Sequence, residues 1–168
     1  MSSTFFTRLA RFFVLLFFQV LVFNQVHLLD YITPLMIGYM VVCFRRGTLR
    51  VGMLLWGFAT GLTFDMFSNT AGMGASAMTL IAMMQPSLLT LFAPRDAAED
   101  FIPTFRTLGF WTYILYVFIL MFVLHGVFYL LDAFTLVNWQ LTLFSIGGGT
   151  LMATILTIFV ELLIHPKD

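Results

Sequence analysis

The chain has 168 residues, of which 61% are hydrophobic and 10% charged, against roughly 25% charged in a soluble domain. A mean hydropathy of +1.00 means more apolar surface than a soluble fold of this size can hide, so the solvent is expected to be lipid. Eight basic and eight acidic residues leave no basic stripe for nucleic acid, and the single cysteine, Cys43, excludes an intrachain disulfide and every multi-cysteine metal motif.

A membrane-crossing helix needs about 20 apolar residues. The first expected span covers residues 9–29. Arg8 and Arg11 stand at its start, but the apolar run is longer than a signal-peptide core and lacks a small-x-small site, so it is read as a retained span. Five further spans are expected at 31–44, 51–67, 72–92, 108–131 and 139–164, joined by brief linkers that leave no room for a globular domain. The second, at 14 residues, is short enough for a re-entrant or interfacial piece, and charge decides in favour of a span. With six spans and the N-terminus inside, Arg8, Arg11, Arg45, Arg46, Arg50, Arg95, Arg106 and Lys167 are all cytoplasmic. Without the second span, all but Arg8 and Arg11 move outside. Asp30 and Pro34 suit the first turn of that helix. Trp111 and Trp139 fall where aromatic belts form. The expected architecture is one all-α integral membrane domain over residues 1–168, with both termini in the cytoplasm.

Within the third segment, Gly57, Thr60, Gly61, Phe64, Asp65 and Ser68 share a face at three–four spacing. Gly57 and Gly61 permit close helix approach. Asp65 is the stronger signal, because a carboxylate in an apolar run needs a reason. Its candidate partners are the free N–H groups at the start of the fourth segment, around Gly72 to Ala75, the histidines His27 and His125, or a basic residue on another protein. His27 and His125 have no second histidine or cysteine at metal spacing, so they read as packing residues and no metal site is expected. In the sixth segment Ser145, Gly149, Ala153 and Thr157 recur every four residues and end on Glu161, with His165 at i+4 as a local partner. The alternative use of Gly147, Gly148 and Gly149 is a loosened helix lining a cavity. Gln85-Pro86 is expected to kink the fourth segment, whose Met73, Met78, Met83 and Met84 suit adaptable packing. The linker 93–107 mixes Arg95, Asp96, Glu99, Asp100 and Arg106 and reads as a solvated face or a docking site. No nucleophile–base pair, HExxH, GxSxG or phosphate loop occurs, so no enzyme and no cofactor are expected.

The run Gly61-Leu-Thr-Phe-Asp65, then a short polar turn, then Gly72-Met-Gly74-Ala resembles the signature of the rod shape-determining protein MreD family. The hydrophobicity, the short second span ending in Arg45-Arg46-Gly47 and the lack of a soluble domain are similar too. The family's single glycine after the turn would fall between Gly72 and Gly74, so the resemblance leaves the turn register open. The resemblance implies a non-enzymatic subunit of the cell elongation (rod) complex in the bacterial inner membrane. It also implies a fold similar to the substrate-binding components of energy-coupling-factor transporters. Partners implied are an MreC-like single-span protein, an MreB-type filament system and a RodA–transpeptidase pair. The other functional expectation is a small-molecule, vitamin-type substrate-binding subunit of a transporter. Partner-binding or helix-packing candidates are Gly57, Gly61, Asp65, Gly72, Gly74, Gly149 and Ala153, with His27, His125 and Glu161 as intramembrane polar residues.

Overall fold

The computed structural model describes residues 2–19, 33–94, 96–133 and 139–164. These residues are helical in every regular element, and no strand occurs among them. Helix α1 spans Ser2–Phe18. A 3-10 turn at Met36–Gly38 runs into the single-turn α2, Tyr39–Val42. The long helices follow: α3 at Arg50–Ser68, α4 at Met73–Phe92, α6 at Phe110–Asp132 and α7 at Trp139–Ile164. The one-turn α5, Phe105–Leu108, precedes α6 and is separated from it by Gly109 at φ +83°.

The four long helices are long and apolar enough to cross a membrane. Their outer faces carry side chains that water would not tolerate in such density. On α3 these are Leu55, Phe58, Leu62 and Met66; on α7 they include Phe144, Ile155, Phe159 and Leu163. The chain is a multi-pass, membrane-associated helical protein. Antiparallel α3 and α4 form the tightest pair, α6 packs on α4, and α7 packs on α6.

The boundaries expected for the third, fourth, fifth and sixth segments agree with α3, α4, α6 and α7 to within two residues. The triple glycine does not interrupt α7. Helix α4 continues through Pro86. The linker 93–107 is not wholly irregular, because Thr104 caps α5 through a reciprocal pair of bonds with Thr107.

The second segment differs from expectation. It was expected as a helix over 31–44, but its described part is helical only from Met36 to Val42. Pro34 gives no N–H and biases Thr33 away from the α region, so the chain enters extended. The expected cap at Asp30 lies outside the described residues. What the segment lacks in helix it makes up in burial: Leu35, Met36, Ile37, Tyr39, Val41 and Val42 are all almost fully enclosed. It runs antiparallel to α6. Thr33 lies against Tyr129, Leu35 against His125 and Val42 against Tyr116. Tyr116 and Tyr129 are 13 positions apart, about 20 Å along a helix. Nine residue steps of α-helix would cover only about 14 Å, so the extended entry lets a short segment match the longer stretch of α6.

Candidate functional site

The polar residues inside the bundle converge on two places. The first is the α3–α4 turn. Asp65 ends the buried face of α3 and is itself buried. Helix α3 stops at Asn69, which takes the left-handed conformation at φ 55°, ψ 39°, and the backbone N–H of Thr70 returns to the Asp65 carbonyl at 3.1 Å. Gly72 then turns the chain at φ +81°, where a side chain would be strained, and α4 begins with no side-chain cap from its own N-cap residue. Asp65 supplies the cap instead. Its carboxylate accepts the Thr70 hydroxyl at 2.6 Å, the Gly74 N–H at 2.8 Å and the Ala75 N–H at 2.9 Å. Among the partners the sequence left open, the fourth segment's N–H groups take it and His125 does not. His27 lies outside the described residues.

This cap requires the two helices to touch along their backbones. A Cβ on Gly61 would lie against the Gly74 carbonyl oxygen and 2.6 Å from Ala75 Cα. One turn earlier a Cβ on Gly57 would lie 3.0 Å from the Met78 carbonyl oxygen, and one on Gly74 would meet the Asp65 carboxylate at 2.6 Å. Gly57, Gly61, Asp65 and Gly74 therefore form one constellation.

The second place is the broken segment. Buried backbone without helical partners must be satisfied by protein when lipid surrounds it. Gln19 at the end of α1 accepts the Met36 N–H at 2.6 Å and donates to the Pro34 carbonyl at 3.0 Å. His125 accepts the Leu35 N–H on Nε2 at 3.1 Å, so its Nδ1 carries the proton and donates to the Met121 carbonyl at 2.8 Å. The Tyr129 hydroxyl accepts the Thr33 N–H at 2.9 Å and returns to the Thr33 carbonyl at 3.2 Å. At the other end Gln85 donates to the Phe44 carbonyl at 3.1 Å and to the Tyr116 hydroxyl at 2.9 Å, and Tyr116 donates to the Val42 carbonyl at 3.3 Å. Glu161 accepts the Tyr39 hydroxyl at 2.6 Å. The local partner expected for Glu161, His165, lies outside the described residues, and the carboxylate turns inward to the second segment.

Gly149 and Ala153 lie on the buried face of α7, together with Ser145, Thr157 and Glu161. A Cβ on Gly149 would reach the His125 ring, so this glycine admits the imidazole between α6 and α7. Asp65 and Glu161 belong to different clusters at opposite ends of the bundle. Gln19, Tyr39, Tyr116 and Tyr129 were not singled out in the sequence, and Gln85 only as the neighbour of a kink. Their signal is a hydrogen-bonding side chain inside an apolar run, as for His125. No group of three or more His, Cys, Asp or Glu suited to a metal ion occurs among the described residues.

His125→Leu should strand the Leu35 N–H. An unsatisfied buried donor costs about 1–3 kcal/mol. The expected reading is a clearly lower midpoint of thermal unfolding in detergent; an unchanged midpoint would mean that packing alone holds the second segment.

Compared with models of known protein families, with curated proteins and with solved structures, the chain matches none.

Proposed function

We propose that the chain is a non-enzymatic scaffold subunit of the bacterial cell elongation complex, residing in the inner membrane with six crossings and both termini cytoplasmic. In this reading it is a member of the MreD family with a fold like the substrate-binding components of energy-coupling-factor transporters. It holds an MreC-like single-span partner and the RodA–transpeptidase pair beside an MreB-type filament, and so supports cell shape and lateral wall synthesis. The observation that carries the scaffold reading is where the intramembrane polar groups are committed. Asp65, His125 and Gln19 bond through both of their polar atoms to other parts of the same chain, and Glu161 accepts from Tyr39. Such groups fix a rigid shape rather than meet a substrate, while the apolar outer faces remain for lipid and helical partners. The Gly61-to-Gly74 constellation supports the family reading, because the residues carrying the resemblance are the ones that meet in the turn. The second segment completes the sixth crossing as a broken stretch enclosed by protein, with the side-chain bonds along α6 substituting for helical ones.

The test is affinity capture of the tagged full chain from mild detergent with a co-expressed single-span, coiled-coil periplasmic partner. Stoichiometric recovery is expected. Absence of the partner from a folded preparation would sink the reading.

One observation favours the second reading, a vitamin-type substrate-binding subunit. The hydroxyls of Tyr113, Thr150 and Thr157 are buried with no hydrogen-bond partner among the described residues. Thr157 lies one turn before Glu161 on the same face. Buried hydroxyls in that state ask for water or a small polar ligand. Saturable, stoichiometric binding of a vitamin-sized ligand to the purified chain would favour this reading over the scaffold.

A further inference from the structure

At the end of the bundle opposite the Asp65 turn, the start of α3 and the last turns of α4 border a half-open pocket of about 500 Å³. Its lining mixes polar and apolar surface and carries two arginines. Arg46 and Thr48 come from the turn that leads into α3, Arg50 from its first position, and Pro86, Ser87 and Thr90 from α4. No carboxylate lines it among the described residues.

We propose that this pocket binds the phosphate group of an anionic phospholipid. Arg46 is already oriented, because one N–H of its fork donates to the Ala97 carbonyl at 2.8 Å. Its backbone N–H is fixed as well, on the Phe101 carbonyl at 3.0 Å. A guanidinium has five donors in a rigid fork suited to phosphate oxygens, so the tethered arginine keeps donors for a ligand. Arg50 is the first residue of α3, a 19-residue helix whose N-cap, Leu49, makes no side-chain cap bond. The first N–H groups of that helix add positive potential beside the two guanidinium groups.

The surroundings point to a lipid rather than a soluble phosphate. Leu49 is 81% exposed, Val51 69% and Leu91 75%, and all three are within a turn of pocket residues. A basic hollow of mixed lining with an apolar rim matches a headgroup with its acyl chains attached. Basic pockets between membrane helices at the cytoplasmic surface recognise such headgroups. The size falls within the range of about 300–1,000 Å³ typical of small-ligand clefts. The site requires only that the chain spans a membrane and stands apart from the elongation-complex reading.

The experiment is native mass spectrometry of the full chain in detergent, titrated with phosphatidylglycerol, phosphatidylethanolamine or inorganic phosphate. Retention of one phosphatidylglycerol is expected, with preference over the zwitterionic lipid. Arg50→Gln should weaken it by at least about fivefold, as one interfacial arginine implies. Arg50→Lys should retain part of the binding, and Arg106→Gln, outside the pocket, should change nothing. Ser87→Leu fills the hollow without altering charge and should weaken binding equally, so the proposal stays testable if Arg50→Gln folds poorly. Displacement of the lipid by millimolar inorganic phosphate would identify phosphate itself as the recognised group and a free anion as a competing ligand. Equal retention of both lipids, or phosphatidylglycerol binding unaltered by both Arg50→Gln and Ser87→Leu, would overturn it.

Discussion

Gly61→Leu should abolish most of the folded protein. The reason is what lies opposite. A Cβ at this position would already press on the Gly74 carbonyl oxygen and Ala75 Cα, both backbone atoms of α4. Backbone cannot rotate aside as a flexible side chain can. The helices would have to separate, and the separation would be felt three ways. It would open the α3–α4 contact, the most extensive in the fold. It would draw Gly74 and Ala75 away from the Asp65 carboxylate. It would also expose buried Phe64, whose ring packs edge-on against Phe128 at 6.0 Å between centroids. Overpacking alone costs about 1–3 kcal/mol, and loss of the two capping bonds adds about 1–3 kcal/mol for each stranded donor. That sum is comparable with the whole stability of an ordinary domain. The measurement is the monodisperse fraction after detergent extraction, with Gly126→Leu as control. A Cβ at Gly126 meets nothing within 4 Å, so its leucine should be tolerated. Equal yields for the two variants would show that the helices are not in backbone contact at Gly61.

The contrast between those glycines also marks what the sequence can reveal. The Gly57–Gly61–Asp65 face was legible because three–four spacing on one helix is local information, and the predicted face is the buried one. The face of α7 from Ser145 to Glu161 was legible for the same reason. The turn that brings Asp65 to Gly74 spans nine positions, so the capping partner could be named among others but not chosen. The second segment was misread because its structure is decided elsewhere. Its apolar letters suit a helix, yet its backbone bonds run to Tyr129, His125 and Tyr116, which are 96, 90 and 74 positions away. No window along the chain contains that information. A proline in a short apolar run, combined with glutamines, tyrosines and a histidine in the neighbouring spans, is the only trace it leaves in the sequence.

Asp65→Ala and Asp65→Asn together should separate a structural cap from a partner site. Alanine removes all three accepted bonds and leaves the Gly74 and Ala75 N–H groups buried without acceptors. The expected loss is about 2–6 kcal/mol, from about 1–3 kcal/mol for each of the two stranded donors, read as a much lower unfolding midpoint in detergent. Asparagine keeps one carbonyl oxygen. With that oxygen in the Oδ1 place the Thr70 and Gly74 bonds survive, and the amide nitrogen, a donor, faces the Ala75 N–H in a donor–donor clash. Its loss should be about half that of alanine. If Asp65 acts only as the α4 cap, capture of the proposed single-span partner should follow stability in order, wild type above Asn above Ala, and so should cell elongation if the proposed function holds. If the carboxylate also meets a basic residue on a partner, Asn should fall out of that order: capture should drop as far as in Ala while the unfolding midpoint stays intermediate. The three bonds at 2.6–2.9 Å occupy both carboxylate oxygens, which favours the first outcome. Three bonds still leave a lone-pair site on a group that can accept about four. The departure of capture from stability in the Asn variant is therefore the measurement that assigns this aspartate its role.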